Sequence, residues 1–237
     1  MKKIAGLLLL VMLIAHTGCG PKVSDVFKKY EGDFAKKREQ FKAIAGALPS
    51  QGNRNAVKQC TEISPPIEFN EKTRTYNTEM VMFENLSDPD AKPKMDIAPN
   101  GELLNAIQWT GPKNPMSSTV LDERAGDMES RLKAALDYRY LVVNRVADLR
   151  DPVAMDEKTY MPGQVRIETF VVDLKDNTPV CSFTIEAQSA STVSYSYKSD
   201  QSKQEQLEKF AHSTMWEDAR KKLIAGLQKA GAKIELN

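Results

Sequence analysis

The pattern of apolar and polar positions predicts a long helix near the N-terminus. Apolar residues recur at intervals of seven, with further apolar residues between them: Phe27, Tyr30, Phe34, Phe41, Ile44 and Leu48. This spacing places them on one face of a helix at 25–48, with Ser24 as a possible cap and Pro49 as a stop signal. Two interpretations are open. The aromatic side chains contact a partner protein or a membrane, or the stripe packs on its own domain.

The rest of the chain is predicted to contain both helices and strands. A weak strand signal covers 73–83, and a proline-rich loop follows at 88–99. The predicted elements after it are a short helix that ends at Gly111, a helix at 119–136 capped by Ser117 or Ser118, strands at 138–149, 164–174 and 179–188, and a helix at 203–230 capped by Gly231. Asp176 and Asn177 form a turn signal between the last two strands.

The apolar faces of these elements indicate how they pack. The last strand alternates so that Cys181, Phe183, Ile185 and Ala187 share one face. The C-terminal helix has an apolar side of six residues: Leu207, Ala211, Met215, Ala219, Leu223 and Leu227. We therefore expect an α+β fold, in which an antiparallel sheet of about three to four strands packs against amphipathic helices and an N-terminal helix precedes it.

The first 18 residues have the parts of an export signal. Lys2 and Lys3 precede an uncharged apolar run at 4–15, and the small residues Thr17 and Gly18 follow it. The run has 12 residues, too few for the roughly 20 that a membrane-spanning helix needs. We therefore interpret 1–18 as a signal peptide, 19–24 as a tether and 25–237 as a single domain, with two small domains as the alternative.

The segment His16-Thr17-Gly18-Cys19 resembles the lipobox of bacterial lipoprotein precursors, although an aliphatic residue is usual where His16 stands. The resemblance implies that Cys19 is lipidated and that the mature protein is anchored in a lipid bilayer. In this family an Asp after the lipidated cysteine favours the inner membrane. Gly20 at that position therefore favours the outer membrane, facing the periplasm. The alternative is an ordinary signal cut beside an ordinary cysteine.

Charge and cysteine content narrow the class of protein. The formal charge of +1 becomes −1 without Lys2 and Lys3, which gives no field to attract nucleic acid. Apart from Cys19, only Cys60 and Cys181 remain, and in an oxidising compartment they are expected to form a disulfide. Two separate buried thiols are the alternative.

Few residues indicate catalytic chemistry. His212 is the only histidine beyond the signal peptide, so a site with several histidines is excluded, and no phosphate-binding or nucleophile motif is present. We interpret His212 as a helix-surface residue and expect no catalytic residue, no metal and no cofactor. A hydrolase that uses only carboxylates is the less favoured possibility, because such sites leave no sequence motif.

The segment 138–231 loosely resembles the α+β domains of several uncharacterised periplasmic lipoproteins, which implies a fold but no chemistry. Two hypotheses of function remain. The first is a non-catalytic interaction or envelope-assembly lipoprotein that contacts an envelope protein, with Tyr160 and Met161 at a loop tip as candidate contact residues. The second is a binding module with a closed apolar pocket of about 300 to 1,000 Å³ between sheet and helix.

Overall fold

A computed structural model of the chain describes residues 22–53, 56–99, 101–111, 123–192 and 202–236. The helices in these ranges are α1 (Val23–Ala47), α2 (Glu84–Ser87), α3 (Glu102–Trp109), α4 (Ala125–Leu136) and α5 (Lys203–Lys229). The strands are β1 (Glu68–Asn70), β2 (Thr75–Tyr76), β3 (Thr78–Met82), β4 (Tyr140–Arg150), β5 (Val153–Ala154), β6 (Tyr160–Met161), β7 (Gln164–Asp173), β8 (Thr178–Gln188) and β9 (Lys233–Glu235). The predicted α+β class is confirmed.

The central sheet has four strands in the order β3-β4-β7-β8. The three predicted antiparallel strands are β4, β7 and β8, and the turn between the last two contains Asn177 at a φ of 61°. The fourth strand, β3, lies in the predicted 73–83 region but pairs parallel with β4. A parallel pair needs a long connection, and here the chain passes through α2, α3 and α4 between the two strands.

Helices cover both faces of the central sheet. We call the face covered by α1, α3 and α4 the front face, and it includes Leu141, Val143 and Phe170. The back face is covered by α5 and includes Val142 and Ile167. Because successive strand residues point to opposite sides, a sheet buried on both faces has nearly continuous apolar strands, as the run at 140–143 shows.

The C-terminal helix agrees with its prediction. All six residues of its predicted apolar side are buried, and the last four of them belong to the core on the back face. Ser202 caps the start of α5, and Gly231, at a φ of 92°, follows its end. Beyond Gly231 the chain forms β9, which pairs parallel with β1 in a second sheet of order β2-β1-β9 that the sequence did not predict.

Two predicted helix starts need correction. The first residue of α1 is Val23, and its cap is Lys22 instead of Ser24, with the Lys22 amide donating to the Asp25 carboxylate at 3.2 Å. Helix α4 begins at Ala125 instead of position 119, because residues 123 and 124 are not helical. The Glu123 carboxylate instead accepts a hydrogen bond from Arg131. The predicted caps at 117 and 118 lie outside the described residues, as do the signal segment 1–18 and Cys19.

Among the described helices, none is both long enough and apolar enough to cross a bilayer.

Candidate functional site

The aromatic stripe of α1 faces the interior of its own domain. Phe27, Phe34 and Phe41 are buried among side chains of α3, α4 and the front face of the sheet. The ring of Phe27 meets Trp109 edge to face, with 5.9 Å between ring centroids. The stripe therefore follows the second interpretation, and the expected partner contact at these three phenylalanines is corrected, because none of them is accessible.

An exposed apolar face lies on the hairpin formed by β5 and β6. Val153, Met155 and Met161 are 46%, 67% and 53% exposed, and they are the exposed large hydrophobic residues of the described chain. Val153 pairs directly with Met161 across the hairpin. Met155 lies one residue beyond β5, where its amide donates to the Thr159 carbonyl at 2.9 Å and continues the pairing of the two arms. The three side chains therefore share one side of the hairpin, which we call the hairpin face.

The hairpin is held to the protein body by the edge of β5 and by Tyr160 of β6. Ala154 donates its amide to the Glu208 carboxylate of α5 at 2.8 Å, and Tyr160 donates its hydroxyl to the Ala190 carbonyl. Both residues are half-buried. Of the two predicted contact residues at this loop, Met161 is therefore on the exposed hairpin face, whereas Tyr160 points toward the body.

The turn of the hairpin is fixed by Asp156. Its carboxylate accepts the amides of Lys158 and Thr159 at 2.6 and 2.7 Å, and also the Thr159 hydroxyl at 2.7 Å. These donors, the hydroxyl first, lower the pKa of Asp156. The next residue, Glu157, forms an ion pair of 2.7 Å with Lys203 at the start of α5. The hairpin face is thus held by contacts at the turn and on both strands.

His212 lies on α5 beside the loop that leads to the hairpin. Its Nε2 atom is 3.7 Å from Asp151 Oδ1, which is too long for a hydrogen bond, and its ring packs edge to face on Trp216 with centroids 5.2 Å apart. The His212 side chain is 31% exposed. Its placement on the surface of the helix agrees with the prediction. Within the described ranges, no group of three or more His, Cys, Asp or Glu side chains could hold a metal ion.

A fully buried carboxylate, Glu79 on β3, was not predicted. Its Oε2 atom accepts the Leu103 amide at 2.8 Å at the start of α3, and Oε1 has no hydrogen-bond partner among the described residues. Burial raises the pKa of Glu79 to about 8, against the effect of the Leu103 and Leu104 amides. A Cβ atom on Gly101 would lie 2.0 Å from Oε1, so any side chain at this position would force the buried carboxylate to move. Glu79 therefore caps α3 from the sheet.

A buried ion pair, Arg145 with Glu168, lies on the front face. Two guanidinium nitrogens donate to Glu168 Oε2 at 2.7 and 3.1 Å, and a third donates to the Pro49 carbonyl at 2.6 Å. The guanidinium lies between the rings of Phe83 and Phe170, 5.4 and 5.1 Å from their centroids. Gly52 donates its amide to Glu168 Oε1 at 3.0 Å. Both charges are satisfied by protein groups, and the pair joins the segment after α1 to the sheet.

The predicted disulfide is present. The Sγ atoms of Cys60 and Cys181 are 2.06 Å apart, and their Cα atoms are 4.8 Å apart. Cys181 is buried on the back face with Ile185 and Ala187, as the alternation of β8 predicted. The bond holds the segment before β1 against β8, where the Cys60 amide also donates to the Ser182 carbonyl at 3.0 Å.

The interface between the back face and α5 is filled by side chains. Met215, Ala219 and Leu223 of the helix are fully buried there. A depression of about 620 Å³ does occur where β7 begins and β8 ends, but its lining includes the charged residues Arg150 and Glu186. The described residues therefore provide no observation that favours an apolar ligand between sheet and helix.

Comparison of this chain with protein-family models, with curated proteins and with solved structures found no match. Any proposal about its function therefore depends on its own residues.

Proposed function

We propose that this protein is a lipid-anchored envelope protein without a catalytic role, and that it binds a partner protein through the hairpin face. The observation that carries the proposal is the concentration of exposed large apolar residues in one place. Isolated exposed apolar residues are ordinary, but Val153, Met155 and Met161 share one side of one short hairpin. Methionine is flexible and polarisable, and it suits surfaces that bind other proteins.

The proposed anchor is lipidated Cys19, in the outer membrane and facing the periplasm. The charged, apolar and small residues before Cys19 support it, and Gly20 supports the choice of membrane. The disulfide between Cys60 and Cys181 supports an oxidising compartment, since such bonds persist mainly outside the cytosol.

The charges at the hairpin turn favour a protein over a bilayer as the occupant of the hairpin face. Asp156 and Glu157 stand there with one lysine, Lys158. Surfaces that bind anionic lipid carry clusters of basic residues, and they insert aromatic or leucine side chains. The hairpin face has neither feature, because its members are one valine and two methionines.

The small size of the hairpin face fits a membrane-anchored protein. Stable complexes bury about 800 Å² on each partner, which three side chains do not supply. A lipid anchor confines the protein to the same surface as its partner and so raises the effective concentration of the hairpin face. A weak contact is then sufficient for binding.

Metabolic labelling with a fatty acid tests the anchor. The native chain should carry label and Cys19→Ser should not, because the thiol is the site of acylation. Equal labelling of the two chains would contradict lipidation at this position.

Photocrosslinking in intact cells tests the contact. A photoreactive residue at position 155 should crosslink to one envelope protein, and Met161→Lys on the paired strand should abolish that product. Ala43→Lys, at an exposed position on α1, is the matched control and should leave the product unchanged. The purified partner should then bind the native chain and not the Met161→Lys chain. Crosslinks only to lipid or to a second copy of this chain, or a product that survives Met161→Lys, would refute the proposal.

A further inference from the structure

The seven methionines of the described chain fall into two separate groups. Five are at most 1% exposed, in the cores on the two faces of the sheet: Met80, Met82, Met95, Met128 and Met215. The other two, Met155 and Met161, are more than half exposed and lie on the same side of the same hairpin. No described methionine has an intermediate exposure.

We propose that Met155 and Met161 form a paired sulfoxidation site, at which a hydroperoxide-class oxidant converts the hairpin face from apolar to polar. At each residue the thioether sulfur attacks one peroxide oxygen, and the O–O bond breaks. The sulfur becomes a sulfoxide, oxidised by two electrons, and hydrogen peroxide is reduced to water, or an organic hydroperoxide to its alcohol. Each chain would therefore consume two equivalents of hydrogen peroxide at this site.

The structure separates reactivity at the hairpin from damage to the core. A peroxide molecule can reach the sulfur of Met155 or Met161 from solvent without any opening of the fold. The five buried sulfurs react only when their surroundings open, so their rate follows the population of open states. A sulfoxide in the core would also disrupt packing, whereas on the hairpin face it changes only the polarity of the surface.

The hydrogen bonds that hold the hairpin in place do not involve the side chains of its apolar face. The amide of Ala154, the hydroxyl of Tyr160 and the carboxylate of Asp156 make the contacts that hold it. Oxidation of the two sulfurs leaves these hydrogen bonds intact. Since thiol-dependent enzymes reduce methionine sulfoxide back to the thioether, the change at the hairpin face is reversible. The effect of oxidation on partner binding rests on the proposed function, but the oxidation of the two methionines does not.

The test is hydrogen peroxide treatment of the full chain in detergent, followed by peptide mapping over time. Met155 and Met161 should be oxidised at least about tenfold faster than the five core methionines, because local opening of a core is rare. In concentrated guanidinium the seven rates should converge. Among the peptides of the seven described methionines, Met155→Leu with Met161→Leu should leave no fast-oxidising one, whereas Met128→Leu should leave the fast oxidation of Met155 and Met161 unchanged.

Two results would overturn the proposal. One is oxidation of either hairpin methionine at the rate of the core group, and the other is loss of the thermal unfolding transition during the fast phase. Binding of the purified partner to the selectively oxidised native chain then reports separately on the proposed partner contact. Unchanged binding would count against that contact while the mapped modification site stands.

Discussion

Replacement of Glu79 by glutamine should remove a large pH dependence of stability. In the folded chain the pKa of Glu79 is raised to about 8 by burial, whereas in the unfolded chain it returns to the ordinary value of 4.5. Between these two values the folded state holds a proton that the unfolded state has lost. Stability therefore falls as pH rises from 4.5, and the loss levels off above pH 8, where both states are ionised.

The size of the effect follows from the same two values. The pKa difference of 8 − 4.5 is 3.5, which at 1.36 kcal/mol per unit corresponds to about 5 kcal/mol lost above pH 8. At pH 7 the corresponding loss is about 3 kcal/mol. Glutamine keeps the shape and an oxygen that accepts the Leu103 amide, but it carries no ionisable proton. Its contribution is therefore constant with pH.

The assay is urea unfolding of the native chain and of Glu79→Gln from pH 5 to pH 9. Subtracting the two free energies of unfolding cancels every other titrating group. The difference should grow in favour of the variant by about 1.4 kcal/mol per pH unit up to pH 8 and then stay flat. Glu186→Gln, at an exposed position, is the control and should give a flat difference near zero. Parallel curves for the native chain and Glu79→Gln would refute the argument.

Three further predictions concern the disulfide, the buried ion pair and the histidine. Replacing Cys60 and Cys181 by alanine should lower the free energy of unfolding by about 5 kcal/mol in the chain-entropy model, measured by urea unfolding, and an unchanged stability would contradict this. Glu168→Ala should cost about 3 kcal/mol because it leaves a buried guanidinium without its counter-charge, and a loss below about 1 kcal/mol would show that water reaches the site. His212→Ala should complement a deletion strain as well as the native gene does, and failure of a normally expressed variant would indicate a role for this side chain.

Long elements with regular spacing were predictable from the sequence. Helix α5 keeps one apolar side over six turns, and β7 and β8 alternate on both sides of a recognisable turn. In such elements many residues follow the same apolar spacing, so a single irregularity such as the bulge near Val171 does not hide the pattern. The disulfide was predictable for a different reason, because only two cysteines were left to pair.

Short strands were not predictable, because their stability comes from partners that are distant in the sequence. Strand β9 has three residues and pairs with β1, which lies more than 160 positions earlier. The parallel alignment of β3 likewise depends on the chain passing through three helices before β4. Local spacing contains no information about such pairings, since propensity over three to five residues is weak.

The candidate site was partly predictable. Met161 was identified at the loop tip, but Val153 and Met155 were missed, although alternate apolar residues around the polar turn at 156–158 indicate a hairpin with one apolar side. The side that faces solvent was not predictable, because it depends on how the hairpin is held to the body by its contacts with Glu208 and Ala190. Glu79 was missed for a similar reason, since nothing local distinguishes a buried glutamate from an exposed one.

The position of the proposed anchor limits where a partner can lie. Val23 is already buried in the domain, and four residues of extended chain reach at most about 14 Å from Cys19. A domain of this length has a radius of gyration of about 17 Å, so every point of its surface stays within about 60 Å of the bilayer. On the proposed anchoring, a partner of the hairpin face is therefore a protein of the same membrane or one that reaches close to it. A contact of three side chains is sufficient only because both proteins are confined near one membrane, which raises their effective concentration. A freely diffusing periplasmic protein is not confined in this way.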